Sequence, residues 1–222
     1  MFDKSKCSTE KKLDNFTKYV RRQNIARFMV QYEIFKRQLN SKGSIVECGV
    51  HHGGGVMAWA KISSILEPYS YQRKIIGFDT FEGFPSVVDI DESNIGKFSE
   101  DYNTFNELKE CIKEYNENRF LNNKNKIELV KGDANITIPK YIQDNKHLLV
   151  SLLYLDFDLY EPTKTAIKNF LPRMSKGAII AFDEINHEDW KGETMAMLES
   201  VNIRDCKIEC FPFEPNISFI QL

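Results

Sequence analysis

Short apolar segments alternate with amphipathic helical segments along most of the chain, and this alternation constrains the fold more than any other feature. Five apolar segments predict strands, at residues 44–49, 74–79, 126–133, 148–156 and 177–184. Apolar residues at helical spacing separate them, and residues 206–222 predict a terminal antiparallel hairpin. Strands that alternate with helices form a parallel sheet covered on both faces. The pattern therefore predicts an α/β, Rossmann-like fold with a doubly wound, mostly parallel sheet.

An N-terminal segment precedes this alternation. Residues 13–39 carry apolar side chains at helical spacing, including Phe28 and Met29, and predict a helix. We therefore divide the chain into an N-terminal helical segment, residues 1–40, and a main domain, residues 41–222. The helix is expected to lie over a ligand or at a contact in a homo-oligomer, and simple core packing explains its apolar residues equally well.

Composition narrows the class of partner. The formal net charge is −2, from 30 basic and 32 acidic residues that are mixed along the chain. The absence of a basic block disfavours nucleic acid and an anionic membrane, so a small molecule is expected. No apolar run has transmembrane length, residues 1–16 lack the apolar core of a signal peptide, and the five cysteines form no CxxC pair. These features predict a cytoplasmic protein with reduced thiols.

A glycine-rich turn follows the first strand, with the sequence ECGVHHGGG from Glu47 to Gly55. Glycines such as Gly49, Gly53 and Gly54 let the backbone approach a ligand, and a following helix directs free N–H groups at it. The spacing is neither G-x-G-x-x-G nor a lysine-bearing phosphate loop, which disfavours NAD and ATP. The turn alone is also typical of any Rossmann-like protein.

Acidic residues follow the next two strands. Asp79 stands where hydrogen bonds to ribose hydroxyls are made, and Asp133 stands where an adenine amino group is held. Either residue is also explained as a turn or helix-cap acid, and Asp133 in particular is placed to cap the following helix.

Two pairs of acids follow the fourth and fifth strands: Asp156 with Asp158, and Asp183 with Glu184. If the two strands are neighbours, up to four carboxylates meet at one sheet edge, where like charges require a cation or shifted pKa values. All-oxygen ligation favours Mg²⁺, Mn²⁺ or Ca²⁺ over zinc. The alternative is that these acids lie on solvated loops.

Further residues are open to two interpretations. His187 is a candidate general base, and it is explained slightly better as an exposed loop histidine. Trp190 is expected either to wall an acceptor site or to anchor the next helix. The acidic loop from Thr80 to Asp101 is long for a compact domain and predicts an active-site lid or a disordered segment.

Several motifs together closely resemble the macrocin/mycinamicin O-methyltransferase family, which acts on deoxysugars of antibiotics. The motifs lie within residues 15–199: VECGVHHGGGVMAWA, IIGFDTFEGFP, KGDANITIP, LYLDFDLYEPTKTAIKNFLPRMSKGAIIAFDE and WKGET. The resemblance implies a class I methyltransferase fold and an S-adenosylmethionine- and Mg²⁺-dependent (or Mn²⁺-dependent) transfer of a methyl group to a sugar hydroxyl. The acceptor is expected to be a nucleotide-sugar, a glycan or a glycosylated natural product.

The resemblance also implies roles for single residues. The turn from Glu47 to Gly55 would cradle the methionine end of S-adenosylmethionine. Asp79 and Thr80 would lie by the ribose. Asp133 and Ala134 would lie by the adenine. Asp158 would be the general base, and the metal ligands would be Asp156, Asp183 and Glu184. The family usually has two aspartates at the fifth strand, so Glu184 is a departure that lengthens one arm.

One alternative function comes from a different class. A D-x-D segment after an apolar strand also holds nucleotide-sugars through a cation in metal-dependent glycosyltransferases. The early glycine turn followed by Asp79 argues against that interpretation.

Overall fold

The computed structural model describes residues 1–84, residue 91 and residues 104–222. Most of the predicted lid, residues 85–90 and 92–101, therefore lies outside the described residues, as do residues 102 and 103. The strands are β1 Ser44–Cys48, β2 Ile75–Asp79, β3 Ile127–Lys131, β4 Val150–Leu155, β5 Met174–Phe182, β6 Ile208–Phe211 and β7 Glu214–Gln221. The α-helices are α1 Thr9–Asp14, α2 Arg22–Gln38, α3 Gly54–Leu66, α4 Thr104–Glu117, α5 Ala134–Asp144, α6 Tyr160–Phe170 and α7 Lys191–Ser200.

The strands form one seven-stranded sheet in the order β3-β2-β1-β4-β5-β7-β6. The first five strands of the chain pair in parallel, and β7 is antiparallel to both β5 and β6. The predicted doubly wound, mostly parallel sheet with a terminal antiparallel hairpin is thus confirmed. The strand order reverses between β1 and β4, which is where ligands bind in open sheets of this type, beyond the carboxyl ends of the strands.

Hydrophobic residues cover both faces of the sheet because alternate side chains of each strand point to opposite sides. On one face, Leu152 and Tyr154 of β4 pack with Trp59 of α3 and with α2. On the other, Leu153 and Leu155 pack with α5, α6 and α7. Since the strands are buried on both faces, they read as continuous apolar runs in the sequence.

The N-terminal segment differs from the single predicted helix. It is divided into α1, a 3₁₀ turn at Phe16–Lys18 and α2. Helix α1 ends where the side chain of Asn15 donates a hydrogen bond to the backbone oxygen of Lys11, and Arg21 is extended. The buried face of α2 includes Ala26, Val30 and Ile34, whereas Phe28 and Met29 of the predicted apolar face are exposed. No helix among the described residues is long and apolar enough to cross a bilayer.

Candidate active site

A cavity of about 500 Å³ lies at the carboxyl ends of the parallel strands, at the switch point between β1 and β4. Its walls come from the turn after β1, the ends of β2, β4 and β5, the start of α5, and helix α2. Of the predicted site residues, all but two line it: Glu47, Gly49, Gly54, Asp79, Thr80, Asp133, Ala134, Asp156, Asp158, Asp183 and Glu184. Gly53 and His187 do not line it.

The glycine turn is shaped by close packing as well as by its exposure to the cavity. Gly49 has a φ of +90°, and a Cβ atom there would lie 1.9 Å from the backbone oxygen of Asp156. Gly53 also has a positive φ, and its missing side chain makes room for Leu108. Gly54, the first residue of α3, opens onto the cavity, and a Cβ atom there would meet nothing within 4 Å. The three glycines therefore meet different steric demands.

Glu47 is the buried acid of this turn. Its carboxylate lies against Gly55 at the start of α3, where an added Cβ would be 2.3 Å from Glu47 Oε1. Burial raises the pKa of Glu47 to about 8, although the nearby Arg27 guanidinium acts in the opposite direction. The cavity thus contains a carboxyl group for which burial favours the neutral form.

Asp79 joins the end of β2 to the turn after β1. Its Oδ2 atom accepts hydrogen bonds from the backbone N–H groups of Val50 (2.7 Å) and His51 (2.8 Å). Its Oδ1 atom accepts one from Phe81 at 2.6 Å. The residue expected to face a ribose therefore also organises the backbone that surrounds the cavity.

Asp133 and Thr80 also make local structural contacts. Asp133 Oδ1 accepts a hydrogen bond from the backbone N–H of Asn135 at 2.9 Å and caps α5, which is the alternative that the sequence left open. The Thr80 hydroxyl donates to the backbone oxygen of Gly83 at 2.5 Å. Both side chains still line the cavity, so these contacts hold them at its wall.

The predicted meeting of the acids after β4 and β5 is present, because the two strands pair with Leu155 opposite Phe182. An arginine of α2 joins them. Arg27 Nη2 donates to Asp156 Oδ2 at 2.5 Å, and Nη1 lies 2.8 Å from Asp183 Oδ1. The Tyr154 hydroxyl donates to Asp183 Oδ1 at 2.7 Å. Among the described residues that line the cavity, Arg27 is the only arginine or lysine.

These neighbours act in opposite directions on the acids. Burial and the charge of Asp183 raise the pKa of Asp156 well above its ordinary value, and Arg27 lowers it in part. Burial, followed by Glu184 and Asp183, raises the pKa of Asp158 to about 7. Asp158 also has a φ of +62°, an uncommon backbone conformation for a residue other than glycine. Such outliers cluster at functional sites.

Glu193, in the first turn of α7, supports the segment after β5. Its Oε2 atom accepts a hydrogen bond from the backbone N–H of Glu184 at 3.1 Å, and its side chain is fully buried. Burial and Asp183 raise its pKa well above the ordinary value. Through this contact, the WKGET segment positions the backbone of Glu184 at the cavity.

The donor chemistry of Asp156, Asp183 and Glu184 fits a divalent cation, since all three offer carboxylate oxygens. Glu184 Oε2 is buried and has no hydrogen-bond partner among the described residues. However, no three acidic, histidine or cysteine side chains in the described part of the chain are arranged closely enough to share an ion. The guanidinium of Arg27 instead pairs with two of the three carboxylates.

The two residues left open in the sequence lie in different places. His187 is exposed, and its Nδ1 atom accepts a hydrogen bond from the backbone N–H of Asp189 at 3.2 Å. Trp190 lines the cavity and immediately precedes α7.

Arg27 is a site residue that the sequence motifs did not indicate. A signal was present, because Arg27, Gln31 and Gln38 are polar residues at helical spacing along one side of α2. Gln31 and Gln38 are buried in the structure, and Gln31 lines the cavity beside Arg27. Polar side chains on the buried side of a helix mark a functional or structural polar contact.

The sheet order, the terminal antiparallel strands and the strand-end cavity define a Rossmann-like methyltransferase of class I. Residues 15–203 match the macrocin-O-methyltransferase (TylF) family, and the chain belongs to this family of S-adenosylmethionine-dependent sugar O-methyltransferases. It is therefore an O-methyltransferase, and the glycosyltransferase alternative is wrong.

Solved structures agree with this assignment. The crystal structure of CalS11, a calicheamicin methyltransferase, is 31% identical, with a TM-score of 0.94 over 99% of this chain and 87% of that one. An apo structure of CalS11, described as a TDP-rhamnose 3′-O-methyltransferase of calicheamicin biosynthesis, is 29% identical with a TM-score of 0.87, over 99% of this chain and 88% of that one. The O-methyltransferase NovP shares the fold at 19% identity, with a TM-score of 0.63 over 89% of this chain and 79% of that one. No functionally curated protein shows significant similarity to the chain.

Proposed function

We propose that the protein transfers the methyl group of S-adenosylmethionine to a hydroxyl of a sugar, in a reaction that depends on Mg²⁺ or Mn²⁺. The acceptor class comprises nucleotide-linked sugars, glycans and glycosylated natural products. CalS11 is described as acting on TDP-rhamnose, and the similarity to it supports testing nucleotide-linked deoxysugars first among these acceptors.

One observation carries this proposal: acids from the ends of five parallel strands line a single cavity. Glu47, Asp79 and Asp133 lie on the side of β1, β2 and β3, and Asp156 and Asp183 lie on the side of β4 and β5. A donor bound along the first group would have its sulfonium methyl near the second group, because β1 and β4 are adjacent. Donor and acceptor subsites would then share one cavity.

The residues supply positioning and a base. The acceptor oxygen forms a bond to the methyl carbon, the carbon–sulfur bond breaks, and S-adenosylhomocysteine and a methyl ether are left. Asp158 accepts the hydroxyl proton, and a base with a pKa of about 7 is well matched to neutral pH. Holding both reactants in line lowers the barrier further, since the sulfonium donor is already activated.

A divalent cation at this site would be held by Asp156, Asp183 and Glu184. When bound, it would lower the pKa of the acceptor hydroxyl and fix its orientation. The three carboxylates, and the unpartnered Glu184 Oε2 among the described residues, support this assignment. Glu193 would keep Glu184 in place through the hydrogen bond to its backbone.

The test is a screen of acceptors with radiolabelled S-adenosylmethionine. TDP-rhamnose, free rhamnose and a glycosylated natural product would each be incubated with Mg²⁺, with Mn²⁺ and with EDTA. We expect methylation of at least one sugar acceptor and none with EDTA. Failure of S-adenosylhomocysteine to bind at millimolar concentration in calorimetry would overturn the methyl-transfer proposal, while methylation that persists in EDTA would overturn only its metal dependence.

A further inference from the structure

Arg27 takes up the carboxylate oxygens that a divalent cation would need. Both oxygens of Asp183 face its Nη1 atom, at 2.8 Å for Oδ1 and 3.1 Å for Oδ2, and Oδ1 also accepts the hydroxyl of Tyr154. Asp156 Oδ2 accepts the Nη2 donor of Arg27 at 2.5 Å. An ion bound to Asp183 would therefore have to share or replace the contacts of this guanidinium.

The charges around Arg27 explain why it is held there. Asp156 and Asp183 contact it, Asp158 and Glu184 interact with its charge, and no lysine or second arginine lines the cavity in the described part of the chain. Clustered carboxylates need a cation or must take up protons. A divalent ion meets the same need with twice the charge, and it would repel a guanidinium a few ångströms away.

The two partners differ in their freedom to move. Asp156 and Asp183 follow paired strands in the middle of the sheet, and their side chains are 23% and 12% exposed. The Arg27 side chain is 41% exposed and extends from the second turn of α2. A long, partly exposed side chain can turn towards solvent while the two carboxylates stay with their strands, so Arg27 is the partner that yields.

We propose that Arg27 occupies the position of the divalent cation in the metal-free protein and that the ion displaces it. Arg27 pairing and metal binding then exclude one another, and the free energy of metal binding is reduced by the contacts that the arginine loses. The inference rests on the metal dependence proposed above. It makes helix α2 respond to metal occupancy, because α2 loses its link to Asp156 and Asp183 when the ion enters.

The test is calorimetric titration of Mn²⁺ into the wild type, Arg27→Gln and Arg22→Ala, without methyl donor or acceptor. Arg22 is an exposed arginine in the first turn of α2 and controls for the loss of one positive charge. We expect Arg27→Gln to bind Mn²⁺ about tenfold more tightly than the wild type, within the ordinary range of coupling between sites. Arg22→Ala should resemble the wild type.

Other results of the Mn²⁺ titration distinguish failure of the competition from failure of the metal site. Equal or weaker binding by Arg27→Gln would overturn the competition and leave the metal site standing. Absence of Mn²⁺ binding in both the wild type and Arg27→Gln would overturn both the competition and the metal dependence. Binding by Arg27→Gln alone would support the competition in its strongest form.

Thermal unfolding provides a second measurement that does not need catalysis. Without metal, Arg27→Gln should melt below the wild type because it leaves the acids without their cation, and saturating Mn²⁺ should narrow the difference. If the difference in melting temperature between the two proteins is the same with and without Mn²⁺, the proposal is contradicted. If Arg27→Gln does not fold, Arg27→Lys keeps the charge but loses the paired contacts, and it should bind Mn²⁺ more tightly than the wild type.

Discussion

The carboxylate of Asp79 accepts a 2.7 Å hydrogen bond from the backbone N–H of Val50, which links the end of β2 to the turn after β1. A second bond to the same oxygen comes from His51, and the other oxygen accepts from Phe81. One side chain thus orders two of the segments that line the cavity. Its removal should affect both the shape of the cavity and the stability of the fold.

Asp79→Ala should weaken the binding of S-adenosylhomocysteine by about tenfold or more, and lower the unfolding free energy by about 1–3 kcal/mol, because three N–H donors lose their acceptor. Calorimetry and thermal unfolding measure the two effects. Glu82→Ala, at an exposed acid a few residues further on, is the matched control and should change neither. Unaltered ligand affinity in Asp79→Ala would remove Asp79 from the donor subsite.

Glu47→Gln should stabilise the free protein in a manner that depends on pH. The pKa of Glu47 is raised from an ordinary 4.5 to about 8, so the folded state retains a proton that the unfolded chain loses as the pH rises through that interval. Stability from this group is present below pH 4.5 and declines up to about pH 8. Glutamine stays neutral, so the variant should gain a few degrees in melting temperature relative to the wild type between about pH 5 and pH 8.

Melting curves at about pH 5, 6, 7 and 8 check this expectation, with Glu10→Gln in the exposed first turn of α1 as the control. The gain should grow with pH in Glu47→Gln and be absent in Glu10→Gln. A difference that does not vary with pH would show that Glu47 is ionised in the folded protein throughout this range.

EDTA should abolish methyl transfer, and added Mg²⁺ should restore it. Asp156→Asn should lower turnover by about a hundredfold or more, the scale lost with a key electrostatic group. The affinity for S-adenosylhomocysteine should barely change, because the proposed ion holds the acceptor rather than the sulfonium. Full activity of the EDTA-treated enzyme would mean that the acids and Arg27 form a structural cluster.

Asp158→Asn should lower turnover while metal affinity stays nearly unchanged, since the proposed role of Asp158 is to accept a proton. Asparagine tolerates the left-handed backbone conformation seen at this position, so the variant should fold normally. Single-turnover rates and Mn²⁺ titration separate the two properties. Retention of wild-type turnover would transfer the role of base to another group, with His187→Ala as the next variant to measure.

Gly49→Ala should destabilise the fold by about 3 kcal/mol, because the new Cβ would collide with the backbone oxygen of Asp156 in a residue of positive φ. Gly54→Ala is the matched control, since open space surrounds that position. Denaturant unfolding measures the free energy of unfolding of the two variants. Equal stability of the two variants would show that the junction between the turn and β4 is looser than the packing implies.

Much of the fold is predictable because its signals are local. Each apolar run of the parallel sheet is visible in the sequence, and the acids that follow the runs are therefore expected at one edge of the sheet. The ends of the helices are predicted less accurately than their existence. The apolar spacing predicts a continuous N-terminal helix, whereas the side chain of Asn15 ends α1 and the helix resumes at Arg22.

The sequence by itself determined the alternation of strands and helices, the burial of the strands on both faces and the acids at strand ends, because each depends on neighbours within a few residues. Only the tertiary structure decided which strands are adjacent and what lies between their ends. Arg27 reaches Asp156 across 129 positions and Asp183 across 156. The local pattern marks Arg27 as one of several polar residues on one side of α2, but it does not specify their partners, since these contacts exist only after α2 has packed against the sheet. For this reason the sequence predicts a cation among these carboxylates, and only the packed structure reveals a guanidinium there.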